Sequence, residues 1–128
     1  MNMHSEPAPG AAEHDAGIKL TVWVHYATEH EHARDRAERA DTERKMLFDL
    51  AVEDLLAQAR VRGEKLPIAN AERAVAISPE YRKAIDAAHR LRLEAGIARI
   101  AERKAHHEHE AAVRHTHSER QERRMHGR

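Results

Sequence analysis

Histidine is the residue type here best placed to do chemistry: the 128-residue chain carries twelve, and eight fall in two clusters. The first comprises His25, His30 and His32, the second His106, His107, His109, His115 and His117. Imidazole nitrogens beside carboxylates such as Glu29, Glu108 and Glu110 suit zinc, nickel or copper. His106 and Glu110 stand four apart, which puts both on one face of a helix. If the two clusters lie on helices that run antiparallel about a turn, with paired positions summing to about 142, His32 falls near Glu110 and His25 near His117. The candidate ligands are therefore His25, His32, His106, His109, Glu110 and His117. The expectation is nevertheless a protein without a cofactor, zinc or nickel being the alternative. The chain has no HExxH and no cysteine, so neither familiar zinc spacing is present. A solvated helix face accounts for the same residues. Stacked imidazoles also disfavour one another's protonation, which would make a helix end sensitive to mild acid.

The second constellation is basic. After position 113, Arg114, Arg120, Arg123, Arg124 and Arg128 face only Glu119 and Glu122. Guanidinium groups on an exposed helix end can hold nucleic-acid backbone, with salt-dependent, sequence-independent affinity. No aromatic follows Tyr81, so base stacking has no platform there. The plain alternative is a solvated helix end favoured by its own dipole. Catalysis has the least support: there is no glycine-rich phosphate loop, no nucleophile elbow and no cysteine, and serine occurs only at positions 5, 78 and 118. A non-enzymatic role is expected.

The scaffold is short of bulk. The 22 basic and 22 acidic side chains cancel, and 41% of residues are apolar. Alanine supplies 24 of the apolar residues, whereas Leu, Ile, Val and Phe supply only 21. Without a net charge this composition does not demand disorder, and a charged, alanine-rich helical protein is the best description. No apolar run reaches the length of a membrane span or of a signal peptide's core, so a cytoplasmic protein is expected.

Residues 1–17, with Pro7, Pro9, Gly10 and Gly17 and no period, read as a disordered arm. Ile18, Leu20, Val22, Val24 and Tyr26 then alternate with Lys19, Thr21, Trp23 and His25. That two-residue period is a strand signal, and strand and helix both remain open for 18–26. A strand followed by helices is also the order of ribbon-helix-helix repressors, with Lys19, Thr21, Trp23 and His25 as the readers, but the helices expected here are far longer. Thr28 and Glu31 have the spacing of a capping box. Helix A is expected over 28–62, stopping at Gly63. A short helix follows over 70–77, with Ala71, Ala74, Val75 and Ile77 inward. Ser78, Pro79 and Glu80 suit the start of helix C, over 79–124.

Helix C carries a heptad seam: Tyr81, Ala88 and Ala95 in one series, Ala84, Leu91, Ala98, Ala105 and Ala112 in the other. Leu93, Ile97 and Ile100 lie off that seam and need a second surface. Self-association through these three and the Phe48 face is therefore expected, giving a homo-oligomer. Charge supports folding back, since residues 1–64 hold 8 basic and 13 acidic groups and residues 65–128 hold 14 and 9. The expected fold is all-α: an elongated antiparallel helical hairpin over 18–128, two long helices joined by a short one.

The run Ala71-Glu72-Arg73-Ala74, continuing to Ser78-Pro79-Glu80-Tyr81-Arg82, resembles a group of small α-helical bacteriophage and prophage proteins encoded near recombination or replication genes. That group often ends in an arginine-rich segment containing a tryptophan. Arg114 and Arg124 fit that segment, with Val113 where the aromatic would stand. The resemblance implies an accessory factor that contacts DNA or a DNA-processing partner through its basic C-terminal end.

Overall fold

A computed structural model describes residues 10–126, which form three helices and no strand. α1 spans Ala11–Val61, α2 Ile68–Ala76 and α3 Pro79–His126. The two long helices pack antiparallel, with α2 between them in sequence, giving the all-α hairpin expected. None of the helices among these residues is long and apolar enough to cross a membrane.

The expected arm and the expected start of helix A at 28 are corrected, and the open choice over 18–26 is resolved as helix. Of the proposed arm, residues 1–9 lie outside the described residues, and Ala11–Gly17 is the opening of α1. Gly10 has φ +86°, and its carbonyl accepts the amide of His14 at 3.0 Å, so the helix starts there. The alternating stretch 18–26 is helical throughout. Lys19, Trp23 and Ala27 are half-buried at helical spacing, Trp23 against His106 and His109 of α3, while the β-branched and aliphatic residues between them stand exposed. Tertiary contact on a three-to-four-residue period has overridden the two-residue pattern. The capping box fails for the same reason: Thr28 is mid-helix, and its hydroxyl donates to the Val24 carbonyl at 2.9 Å.

The other boundaries follow their local chemistry. Gly63, at φ +71°, ends α1 in a Schellman turn: Glu64 N–H donates to the Ala59 carbonyl at 2.9 Å and Gly63 N–H to that of Arg60 at 3.1 Å. A side chain there is strained by the backbone alone. We expect Gly63→Ala to cost about 1 kcal/mol in chemical denaturation; an unchanged midpoint would show that the turn relaxes freely. Ser78 caps α3, its Oγ accepting the amide of Tyr81 at 3.3 Å and donating to the Val75 carbonyl at 2.7 Å. Pro79 and Glu80 occupy the first turn, as expected.

The contacts divide the chain into two units. The second, Glu31–Gly96, holds the apolar core: Val52, Ala71 and Val75 are buried, with Phe48, Leu55, Leu56, Leu66 and Tyr81 packed on them. α2 turns Ala71 and Val75 inward, at 0% and 3% exposure, whereas Ala74 and Ile77 point outward. Phe48 belongs to this core, its ring centroid 5.1 Å from that of Tyr81, so it is not the self-association face the sequence suggested. It falls in the inward series Arg44, Phe48, Val52 and Leu55 and is spent inside the hairpin. Tyr81 also meets Arg44, so the last turns of α1 run past the start of α3 and are covered by α2 instead.

In the first unit, α1 through His30 packs on α3 from Ile97 onward. Its buried residues are Ala12, Ala105, Ala112 and Thr116, a seam of small side chains. The heptad positions of helix C appear as expected: Ala88, Ala105 and Ala112 are buried, and Tyr81, Ala84, Leu91, Ala95 and Ala98 are half-buried.

Candidate functional site

The Tyr81, Ala88, Ala95 series continues at seven-residue steps to Glu102, His109 and Thr116. The seam is therefore polar in the first unit, where Glu102 meets His30 and His109 meets Trp23 of α1. His30 Nδ1 and Glu102 Oε2 are 2.5 Å apart, both side chains about a quarter exposed. Trp23 lies against two imidazoles, its ring centroid 4.3 Å from His106 and 5.4 Å from His109. Glu110 holds His106 from the other side, its Oε1 at 3.1 Å from Nε2. Thr116 satisfies itself by donating to the Ala112 carbonyl at 3.1 Å. The Trp23 Nε1–H is shielded and meets no acceptor among the described residues.

The sequence-predicted ligands are distributed differently from the expected pairing. His106, His109 and Glu110 do gather, around Trp23. His25 and His32 are exposed, and His25 packs edge-on against Tyr26. His117 is exposed beside Glu13, Thr116 and Arg120 along a shallow groove. His32 does not meet Glu110, nor His25 His117: the partners on α3 lie about ten residues, nearly three turns, earlier. The turn-centred estimate counted α1 as ending level with the start of α3, whereas its last turns overshoot it and are covered by α2. Among the described residues no group of three or more His, Asp or Glu side chains is disposed to hold a metal ion.

His30, Glu102 and Trp23 are the residues that sequence reasoning passed over as site members. A signal for them existed. Lys19, Trp23, Ala27 and His30 repeat at four, four and three, and the α3 heptad switches from alanine to Glu102 and His109. Chemically the cluster offers oriented imidazoles, each already engaged by a carboxylate or an indole face. That arrangement sets register and orientation, as polar residues in a helical seam do.

A second polar contact lies in the Glu31–Gly96 unit. Asp41 takes two bonds from Arg44, at 2.9 and 3.2 Å, with Lys45 at 3.3 Å and Arg92 of α3 at 3.8 Å. Arg44 also donates to the Tyr81 hydroxyl at 2.7 Å, tying α1 to the first turn of α3. The bonds from Arg44, then Lys45, hold the Asp41 carboxyl below its ordinary value of 3.8, and the same bond to Asp41, with that to Tyr81, raises Arg44. A lowered carboxyl pKa stabilises the fold fully above the ordinary value, and that contribution disappears as pH falls through the lowered one. Asp41→Asn should therefore lower stability near neutral pH and flatten the part of the acid-unfolding curve below 3.8. Parallel curves for the two proteins would refute it.

At the C-terminal end, Arg120 Nε is 3.6 Å from Glu13 Oε1 and Arg123 is 4.0 Å from Glu119. Arg114 and Arg124 are exposed, and Arg128 lies outside the described residues. Leu93, Ile97 and Ile100 are 70%, 68% and 69% exposed, off the seam as expected.

Comparison with known proteins adds no relationship: no family model, no curated protein and no solved structure matches this chain.

Proposed function

We propose that this protein is a non-enzymatic helical interaction module that works by docking the outer face of α3 onto another protein surface. The observation that carries this reading is the exposure of Leu93, Ile97 and Ile100 at positions i, i+4 and i+7 of one helix. Three large aliphatic side chains aligned on a helix face normally meet a partner. The seam of α3 is served by alanines, so these residues add nothing to the hairpin itself. His30 with Glu102, and Trp23 with His106 and His109, support the same reading, since these contacts join α1 to α3.

The test compares the native chain with Leu93→Gln/Ile97→Gln/Ile100→Gln, matched for helical circular dichroism. The reading requires a stoichiometric companion, a second copy included, that co-purifies with the native chain and is lost by the variant. Equal retention by both removes it.

A second reading is a phage-type accessory factor that contacts DNA or a DNA-processing partner through the C-terminal end of α3. It is favoured by the exposure of Arg114 and Arg124 and by α3 continuing in helical form to His126. The ion pairs of Arg120 and Arg123 weigh against it by partly occupying two of the cations. Binding of duplex DNA should weaken steeply with salt and fall on replacing Arg114, Arg120, Arg123 and Arg124 by alanine. Retention that ignores both changes excludes this surface.

A further inference from the structure

Two exposed apolar strips on this chain carry opposite charge. On α3, Leu93, Ile97 and Ile100 are bordered by Arg90, Arg103 and Lys104, all exposed. Between Arg90 and Lys104 the only exposed acid is Glu94. On α1, Met46 and Leu50 are 58% and 62% exposed on the face opposite Phe48. Glu43, Glu53 and Asp54 border them, and the one exposed base in that run, Lys45, is held by Asp41 at 3.3 Å.

We infer that the partner of the α3 strip is the α1 strip of a second copy of this chain, an inference that rests on the docking role proposed above. Apolar residues would meet at the centre, with Arg90, Arg103 and Lys104 against Glu43, Glu53 and Asp54 at the rim. Like-with-like pairing is disfavoured by the same charges. An antiparallel pair of α3 strips about Ile97 sets Arg90 against Lys104, and an antiparallel pair of α1 strips about Phe48 sets Glu43 against Glu53.

Gly96 supplies a further sign. It stands mid-helix among Leu93, Ile97 and Ile100, and a Cβ built there meets nothing within 4 Å. Packing inside the chain therefore gives no reason for a residue that weakens a helix interior. A notch in an apolar strip lets a neighbouring helix approach closely. Because the contact joins two different surfaces, each added copy leaves one of each kind open, and assembly grows past a dimer unless a ring closes.

The experiment is sedimentation velocity on the full chain and on two charge reversals, Arg103→Glu/Lys104→Glu and Glu53→Lys/Asp54→Lys, each checked for native helicity. At up to ~200 µM, a range suited to a small contact, the native chain should associate with concentration. Each reversal alone should weaken association about tenfold or more, because it sets like charges face to face. An equimolar mixture of the two should recover native association, since the acidic α3 of one then meets the basic α1 of the other. A monomeric native chain, reversals without effect, or a mixture that stays dissociated each overturns the inference. If association is lost with Leu93→Gln/Ile97→Gln/Ile100→Gln but ignores the reversals, the docking role stands and this pairing falls. If association survives that triple change, both fall.

Discussion

Ala71→Asp is expected to release α2 from the hairpin. Ala71 is fully buried beside Val52 and Val75, with Phe48, Leu55, Leu56, Leu66 and Tyr81 around them. A carboxylate placed there enters an apolar core, and an unpaired buried charge costs several kcal/mol. The chain has a cheaper escape than keeping it buried. α2 has nine residues, too few to hold a helix alone, so it can detach and unfold locally. The loss is then capped by what its docking contributes, about 3 kcal/mol for Val75 and its neighbours. Hydrogen exchange across Ile68–Ala76 should accelerate about a hundredfold or more at that cost, with protection near Trp23 retained. Unchanged protection of α2 would mean that its burial contributes little.

Trp23→Ala should produce the other large effect. The first unit buries alanines and one threonine, and Trp23 is the large side chain at its seam, covered by His106 and His109. Removing a fully buried tryptophan costs about 3–5 kcal/mol; half-buried, Trp23 should contribute about 2–3 kcal/mol. The indole also packs against two imidazoles, which would lose that surface together. Denaturant unfolding followed by circular dichroism measures the loss, and Leu93→Ala is the control. Leu93 is exposed, so its truncation should change monomer stability by no more than about 0.5 kcal/mol. Equal effects at the two positions would contradict the seam described here.

How much was legible in advance varied by element, and the reasons are physical. The start of α3 was readable because Ser78, Pro79 and Glu80 act on amides within one turn of themselves. The end of α1 was readable because the left-handed conformation at Gly63 is a local demand. The α3 seam was readable as well, since seven-residue repetition over many turns admits one arrangement. The stretch 18–26 was not. Its alternating residues satisfy a strand template, and only contact such as that of Trp23 with His106 and His109 of α3 selects the helix. Phe48 was assigned to self-association because the off-seam Leu93, Ile97 and Ile100 called for an apolar surface, and only its packing on Val52 and Tyr81 shows that its face is spent inside the hairpin.

The histidine cluster shows the same division. That His106 and Glu110 share a face follows from helical spacing and is seen. Which residues of α1 they meet depends on the register between two helices, seen in Trp23 against His106 and His109, and helical spacing alone does not contain that offset. The sequence by itself determined the end of α1, the start of α3, the alanine seam and the apolar residues left outside it, because each arises from interactions within a few turns. Only the tertiary structure decided which helix faces meet and at what offset, because those contacts join residues far apart in the chain and no local rule contains them.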